Sequence, residues 1–110
     1  MTGGAGYGGS HSAKALSRAG HRVGILDNLS AGHREAALGA PLIEGDVRDV
    51  DAVRRAIREG GASAVMHFAA SLDVASSVRD PAAYYRNNVV GSLATLEAMV
   101  GCGPAAAGLI

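Results

Sequence analysis

At 110 residues the chain fits one small domain. It is 48% hydrophobic and 18% charged, and ten basic residues balance ten acidic ones, which argues against a nucleic-acid patch or a polybasic membrane contact. A lone cysteine, Cys102, excludes an internal disulfide and suits a reducing, cytoplasmic setting, while no basic-then-apolar leader follows Met1 and no apolar run reaches the ~18 residues of a membrane span.

Met1-Thr2 is long enough only for the stub of a strand. Residues 3–9 (GGAGYGG) place Gly3, Gly6 and Gly9 in a G-x-x-G-x-x-G register. Residues 9–19 read as a helix with a small apolar face of Ala13, Ala15, Leu16 and Ala19, ended at Gly20. Arg22 to Asp27 is a short buried strand, apolar nearly throughout, as parallel strands are. Residues 33–38 allow one or two helical turns. Pro41 to Glu44 is a further strand, ended by Gly45-Asp46. Asp49 caps a helix to about Glu59, with Val50, Val53 and Ile57 on one face, and Gly60-Gly61 stop it. Ser63 to Phe68 is the fourth strand. A helix-like stretch follows near Val74 to Val78. Asp80-Pro81 then opens a longer helix, where the missing N–H of proline costs nothing. Its expected inward face is Val89, Val90, Leu93, Leu96 and Met99. Strands alternating with helices predict an α/β fold with a parallel sheet and right-handed crossovers.

The glycine loop lies between a strand stub and a helix, the setting in which this pattern binds a dinucleotide. Gly3 permits the tight turn, Gly6 the approach of a pyrophosphate, and Gly9 close packing of helix on sheet. The helix N-terminus offers free N–H groups and the positive end of its dipole to phosphates. Asp27 ends a strand 18 positions after Gly9, near the spacing at which an acidic side chain meets the adenosine ribose. A carboxylate there repels a 2′-phosphate, so NAD is expected over NADP. Asp46 is placed to reach the adenine amino group, with Val47 beside the ring. His67 reads as a strand histidine satisfied by backbone. His11, His21 and His33 lack ligand spacing, so no metal is expected.

The stretches TGGAGYGGSH (2–11), DNLSAGHRE (27–35), GDVRD (45–49), HFAA (67–70) and YYRNNVVGS (84–92) occur in this order. Together they resemble the UDP-glucose 4-epimerase family, within the NAD-dependent epimerase/dehydratases of the extended short-chain dehydrogenase/reductase superfamily. The resemblance covers about residues 1 to 101, roughly the first third of a family enzyme. It implies the N-terminal part of a doubly wound Rossmann NAD-binding domain over 1–101, with a truncated first strand and no fifth or sixth strand. An irregular tail is expected over 102–110 and no substrate domain. It further implies that Tyr7 and Gly8 line the pyrophosphate, that Asp27 and Asn28 take the ribose, and that Asp46 and Val47 hold adenine. Phe68, Ala69 and Ala70 form a wall under the cofactor, and Asn87 reaches its nicotinamide side. The chain departs from the family pattern at Gly8, where isoleucine is usual, at Leu72, where lysine is frequent, and at Ser76, where glutamate is usual.

In intact relatives the implied chemistry is hydride removal from C4 of a UDP-hexose and its return to the other face, with a Tyr-x-x-x-Lys pair handling the proton. The implied partners are a nucleotide-sugar and a second subunit. Lys14 is the only lysine here and Ser10 stands four positions before it, so this chain holds no such pair. Three readings stay open: part of a 4-epimerase, part of a related sugar-nucleotide dehydratase or decarboxylase, or a non-catalytic NAD-binding module or gene remnant.

Overall fold

In the computed structural model, which describes residues 1–102, Thr2 forms single-residue parallel bridges to Leu26 on one side and to His67 on the other. β1 (Ile25–Asp27) pairs in parallel with β2 (Leu42–Glu44), Ile25 opposite Leu42 and Asp27 opposite Glu44. The order is therefore β2, β1, Thr2, His67, the 3-2-1-4 portion of a doubly wound sheet. Each expected strand is present and shorter than its apolar run. The fourth is reduced to bridge residues at Val65 and His67. A ladder extends only as far as its neighbour, and Thr2 supplies a single residue to both sides. Its N–H donates to Met66 O (2.9 Å), and its carbonyl accepts from Phe68 N–H (2.9 Å).

Two apolar layers sandwich this sheet, because successive residues of β1 face opposite sides. Ile25 joins Ala13 and Ala37 on one face, beneath α1 (Tyr7–Arg18) and the 3-10 turn Arg34–Ala37. Leu26 joins Val47, Val53, Ile57, Val65, Ala98 and Met99 on the other, beneath α2 (Val50–Gly60) and α5 (Gly91–Gly101). α1 starts two residues before its expected first residue. It ends in a Schellman pattern: Gly20, at φ 89°, donates to Ser17 O (3.1 Å) and His21 N–H to Leu16 O (3.0 Å). Of its expected apolar face only Ala13 is buried, in line with Gly9, while Ala15 and Ala19 face outward. α2 begins as expected at Asp49, whose carboxylate accepts from Asp51 N–H (2.9 Å) and Ala52 N–H (3.2 Å).

After the fourth strand come α3 (Val74–Arg79), capped by Asp73, and α4 (Pro81–Tyr85), capped by Asp80. The long helix expected from Pro81 is interrupted by a π-helical segment, Arg86–Val90, before α5. This corrects the expected inward face. Gly91, Ala94, Thr95, Ala98 and Met99 are buried, whereas Val89, Val90, Leu93 and Leu96 are exposed. The wider π turn adds about one residue and rotates everything after it. The approach is also close: a Cβ on Gly91 would lie 2.8 Å from Val47 Cγ1, so small residues face inward. Cys102 closes α5 by donating its N–H to Ala98 O and Met99 O (both 3.1 Å). Apart from it, the expected irregular tail lies outside the described residues.

Candidate cofactor cleft

The glycine loop turns at Gly3, whose φ of 67° is in the left-handed region that favours glycine. A Cβ there would stand 2.5 Å from the Phe68 carbonyl carbon and the Ala69 nitrogen. Close approach of loop to sheet is thus made at Gly3, and at Gly4 over Ile25. Gly9 is needed for a different reason than expected: its Cβ would fall 2.2 Å from Gly3 O, inside the loop itself. Gly6 differs from both. A Cβ there would meet only Gly3 O, at an ordinary 3.5 Å. The fold has no steric demand for glycine at 6, so the open space beside it is available to a ligand.

Gly6 is the N-cap of α1, with no side chain capping it and no acidic residue in the first turn. Among the described residues the N–H groups of Tyr7, Gly8 and Gly9 have no acceptor, while Ser10 N–H reaches Gly6 O (2.9 Å). Free N–H groups at the positive end of a 12-residue helix, with no competing carboxylate, suit a pyrophosphate. Tyr7 is 86% exposed, its ring edge-on to His11 with centroids 4.7 Å apart.

A cleft of about 120 Å³ opens at the C-terminal ends of the strands. It brings together Gly3, Gly6, Asp27, Asn28, Val47, Phe68, Ala69, Ala70 and Asn87 from the expected set. Tyr7, Gly8, Gly9 and Asp46 are not part of its lining. Leu26, Ala31, Gly32 and Gly45 line it without having been singled out. At Gly32 a Cβ would lie 2.6 Å from the Ala5 carbonyl, so the close pass of this loop over the glycine loop requires glycine. Such a crevice beyond the strand ends is where open α/β sheets bind ligands.

Asp27 is buried, and its carboxylate is fixed by two backbone donors: Ala5 N–H to Oδ2 (2.9 Å) and Leu29 N–H to Oδ1 (2.8 Å). The charge therefore stands rigidly beside the glycine loop. Asp46 accepts Arg48 Nε (2.9 Å) and the Arg48 backbone N–H (2.8 Å) at Oδ1, and Arg48 Nη2 (2.5 Å) at Oδ2. The Arg48 side chain holds its carboxyl below the usual carboxylate range.

His67 is satisfied by hydroxyl groups, not by the expected backbone. Ser92 Oγ donates to Asn88 O (2.7 Å), so it accepts from His67 Nε2 (3.2 Å), and Thr2 Oγ1 donates to Nδ1 (2.7 Å). The chain of bonds fixes a neutral Nε2–H tautomer. Burial pushes its pKa down. The sequence offered no signal for these partners, 65 and 25 positions away. Among the described residues no group of three or more His, Cys, Asp or Glu side chains is placed to hold a metal ion, and no helix is long and apolar enough to cross a membrane.

The fold and cleft define a partial doubly wound domain of dinucleotide-binding type. Residues 1–107 match the family model described as the NAD dependent epimerase/dehydratase family, and the chain belongs to that family. It is 51% identical over 100 residues to a UDP-glucose 4-epimerase of Corynebacterium glutamicum, covering 90% of this chain and 30% of that protein. It is 48% identical over 104 residues to one of Azospirillum brasilense, covering 94% and 30%. Its structure superposes on the NAD complex of UDP-glucose 4-epimerase from Brucella ovis with a TM-score of 0.89 at 43% identity, covering 94% of this chain and 32% of that one. The chain thus spans about a third of the length of these relatives.

Proposed function

We propose that this chain is the NAD-binding portion of a UDP-glucose 4-epimerase-like enzyme, which interconverts UDP-glucose and UDP-galactose through a 4-keto sugar. The observation that carries the reading is the cleft itself. It joins an open cradle at Gly6, a fixed carboxylate at Asp27, and the Phe68–Ala70 wall with Asn87 opposite. The N–H groups of Tyr7, Gly8 and Gly9 would hold the pyrophosphate. Asp27 would accept the ribose hydroxyls with Asn28 beside it, and the fixed charge of Asp27 would repel a 2′-phosphate. Val47 would flank the adenine, with Asp46 accepting its amino group in competition with Arg48. Phe68, Ala69 and Ala70 would exclude water beneath the nicotinamide, and Asn87 would bond its end of the cofactor. Bound there, the cofactor supplies reversible hydride acceptance.

NAD titrated into the purified chain should bind more tightly than NADP. Asp27→Ala should weaken NAD and narrow the gap, by about tenfold or more for a hydrogen bond to a charged group. Equal affinity for the two in the unaltered chain would remove Asp27 from the ribose. The chain has no Tyr-x-x-x-Lys pair, and a general base must lie within ~3 Å of its proton. The purified chain should therefore not interconvert UDP-glucose and UDP-galactose. Turnover that survives removal of host epimerase would refute that expectation. The epimerase reading is tested by the DNA that follows the codon for Ile110, read in every frame. A further strand followed by Tyr-x-x-x-Lys supports it.

A further inference from the structure

Asn88 does not line the cofactor cleft, yet its amide is bound to the segment that does. Its Oδ1 accepts Ser71 N–H (2.7 Å) and its Nδ2 donates to Ser71 O (3.0 Å). Both backbone groups of one residue are gripped by one side chain, as a neighbouring strand would grip them. No strand neighbours Ser71 in the described sheet, so the amide stands in for one. The grip also sets the preceding residue. Asn88 Oδ1 is defined as an acceptor by the Ser71 N–H, so the Asn87 atom 3.1 Å from it is the donor Nδ2. That leaves Asn87 Oδ1 as the acceptor available to the cleft that Asn87 lines. Asn87 and Asn88 both lie in the π segment Arg86–Val90. Its carbonyl at Asn88 is in turn tied through Ser92 and His67 to Thr2, next to Gly3 of the glycine loop.

We propose that Asn88 is a positioning residue for the nicotinamide end of the cleft. Through Ser71 it holds the wall formed by Ala69 and Ala70, and through Asn87 it presents an amide oxygen to a hydroxyl or N–H donor of the ligand. This rests on the reading that NAD occupies the cleft with its nicotinamide near Asn87. The adenine end, held by Asp27, Asn28 and Val47 on other elements, does not depend on Asn88.

The test uses the full chain with NAD and saturation-transfer NMR, which reads the adenine and nicotinamide protons separately. The unaltered chain transfers to both rings. Asn88→Asp places an oxygen against Ser71 O and should cut nicotinamide transfer about fivefold, the factor one lost hydrogen bond is worth, with adenine transfer kept. Ser71→Pro removes the other bond of the pair, Ser71 N–H to Asn88 Oδ1, from the loop side, leaves the helix intact and should reproduce the selective loss. A fall of both rings together in both variants, or an unchanged ratio, overturns the proposal. Absence of transfer to either ring in the unaltered chain refutes the cofactor reading instead. Exchange of the Ser71 amide with solvent then still decides the role of Asn88. It should be about tenfold faster or more in Asn88→Ala, which removes the accepting oxygen, than in the unaltered chain, as expected for loss of the bond that closes it. Equal rates overturn it.

Discussion

Two glycines of the loop separate what the fold requires from what a ligand requires. Gly9 has no room for a side chain, whereas Gly6 has ordinary space around it. Gly9→Ala must move Gly3 or the first turn of α1, and overpacking of this kind costs typically ~1–3 kcal/mol. Gly6→Ala occupies only the open cradle, at a backbone conformation (φ −80°, ψ 175°) that any residue adopts. Its cost to folding should be that of losing a glycine N-cap, at most about 1 kcal/mol. The two variants should therefore split. Thermal melting falls markedly for Gly9→Ala and little for Gly6→Ala, while NAD binding falls sharply for Gly6→Ala. A Gly6→Ala chain that binds NAD as well as the unaltered one would place the pyrophosphate elsewhere.

The elements themselves carry a pH dependence, because His67 joins three of them in its neutral form. Thr2, the fourth strand and the π segment meet at its ring. Burial depresses its folded-state pKa below the ordinary histidine value of 6.5. The unfolded chain therefore binds the proton first as pH falls. Stability is full above about pH 6.5 and declines as pH falls toward the folded-state pKa, beneath which the loss is complete. Asp46 and Asp73 act lower. Arg48 holds Asp46 below its usual value and the Ser76 hydroxyl does so for Asp73, so what they contribute persists until pH falls below about 4. Melting followed from pH 8 to 3 should show an upper and a lower decline; burial also lowers the pKa of the Met1 ammonium, which adds to the upper one, and His67→Gln should shrink that upper decline and leave the lower one. An upper decline unchanged in His67→Gln would assign it to Met1 or another group. The partners of His67 were not legible in the sequence, since each comes from a remote segment. Local chemistry was legible: Asp49, Asp80-Pro81 and Gly20 mark helix ends that the structure has. The π segment was not, because Arg86 to Val90 carries no glycine or proline to announce it, and missing it inverted the assignment of Leu93 and Leu96.

At the scale of the whole molecule, the sequence shows the layer order but not how much of each layer is covered. The alternation of apolar strands and capped helices gives β2, β1, Thr2 and His67 their order, and the glycine loop and Asp27 gave the site its two anchors. Strand length depended on what Thr2 could pair, which no local pattern states. Apolar spacing alone could not tell a face buried on this sheet from one left open. Tyr85, Val89, Leu93, Leu96 and Val100 recur every three or four residues along one face through α4, the π segment and α5, and all are exposed. Leu72, Val74 and Val78 add exposed apolar groups in and beside α3. Met99, alone among the residues of the expected inward face, is buried, against Val53 and Ile57, so the deficit lies on the outward side of the helix only. Each such side chain left in water forgoes roughly 1.5–3 kcal/mol of burial. Net domain stability is only ~5–15 kcal/mol, so several uncovered groups weigh heavily. A contiguous stripe of this kind drives association. The purified 110-residue chain should self-associate, its apparent mass in sedimentation rising with concentration, and should melt broadly. Replacing Leu93 and Leu96 together by glutamate should lower the apparent mass to that of the monomer without altering the cleft, since neither residue lines it. A sharp, concentration-independent transition from a monomer of the unaltered chain, raised further by NAD, would show that the described residues are self-sufficient and that the exposed stripe needs no cover.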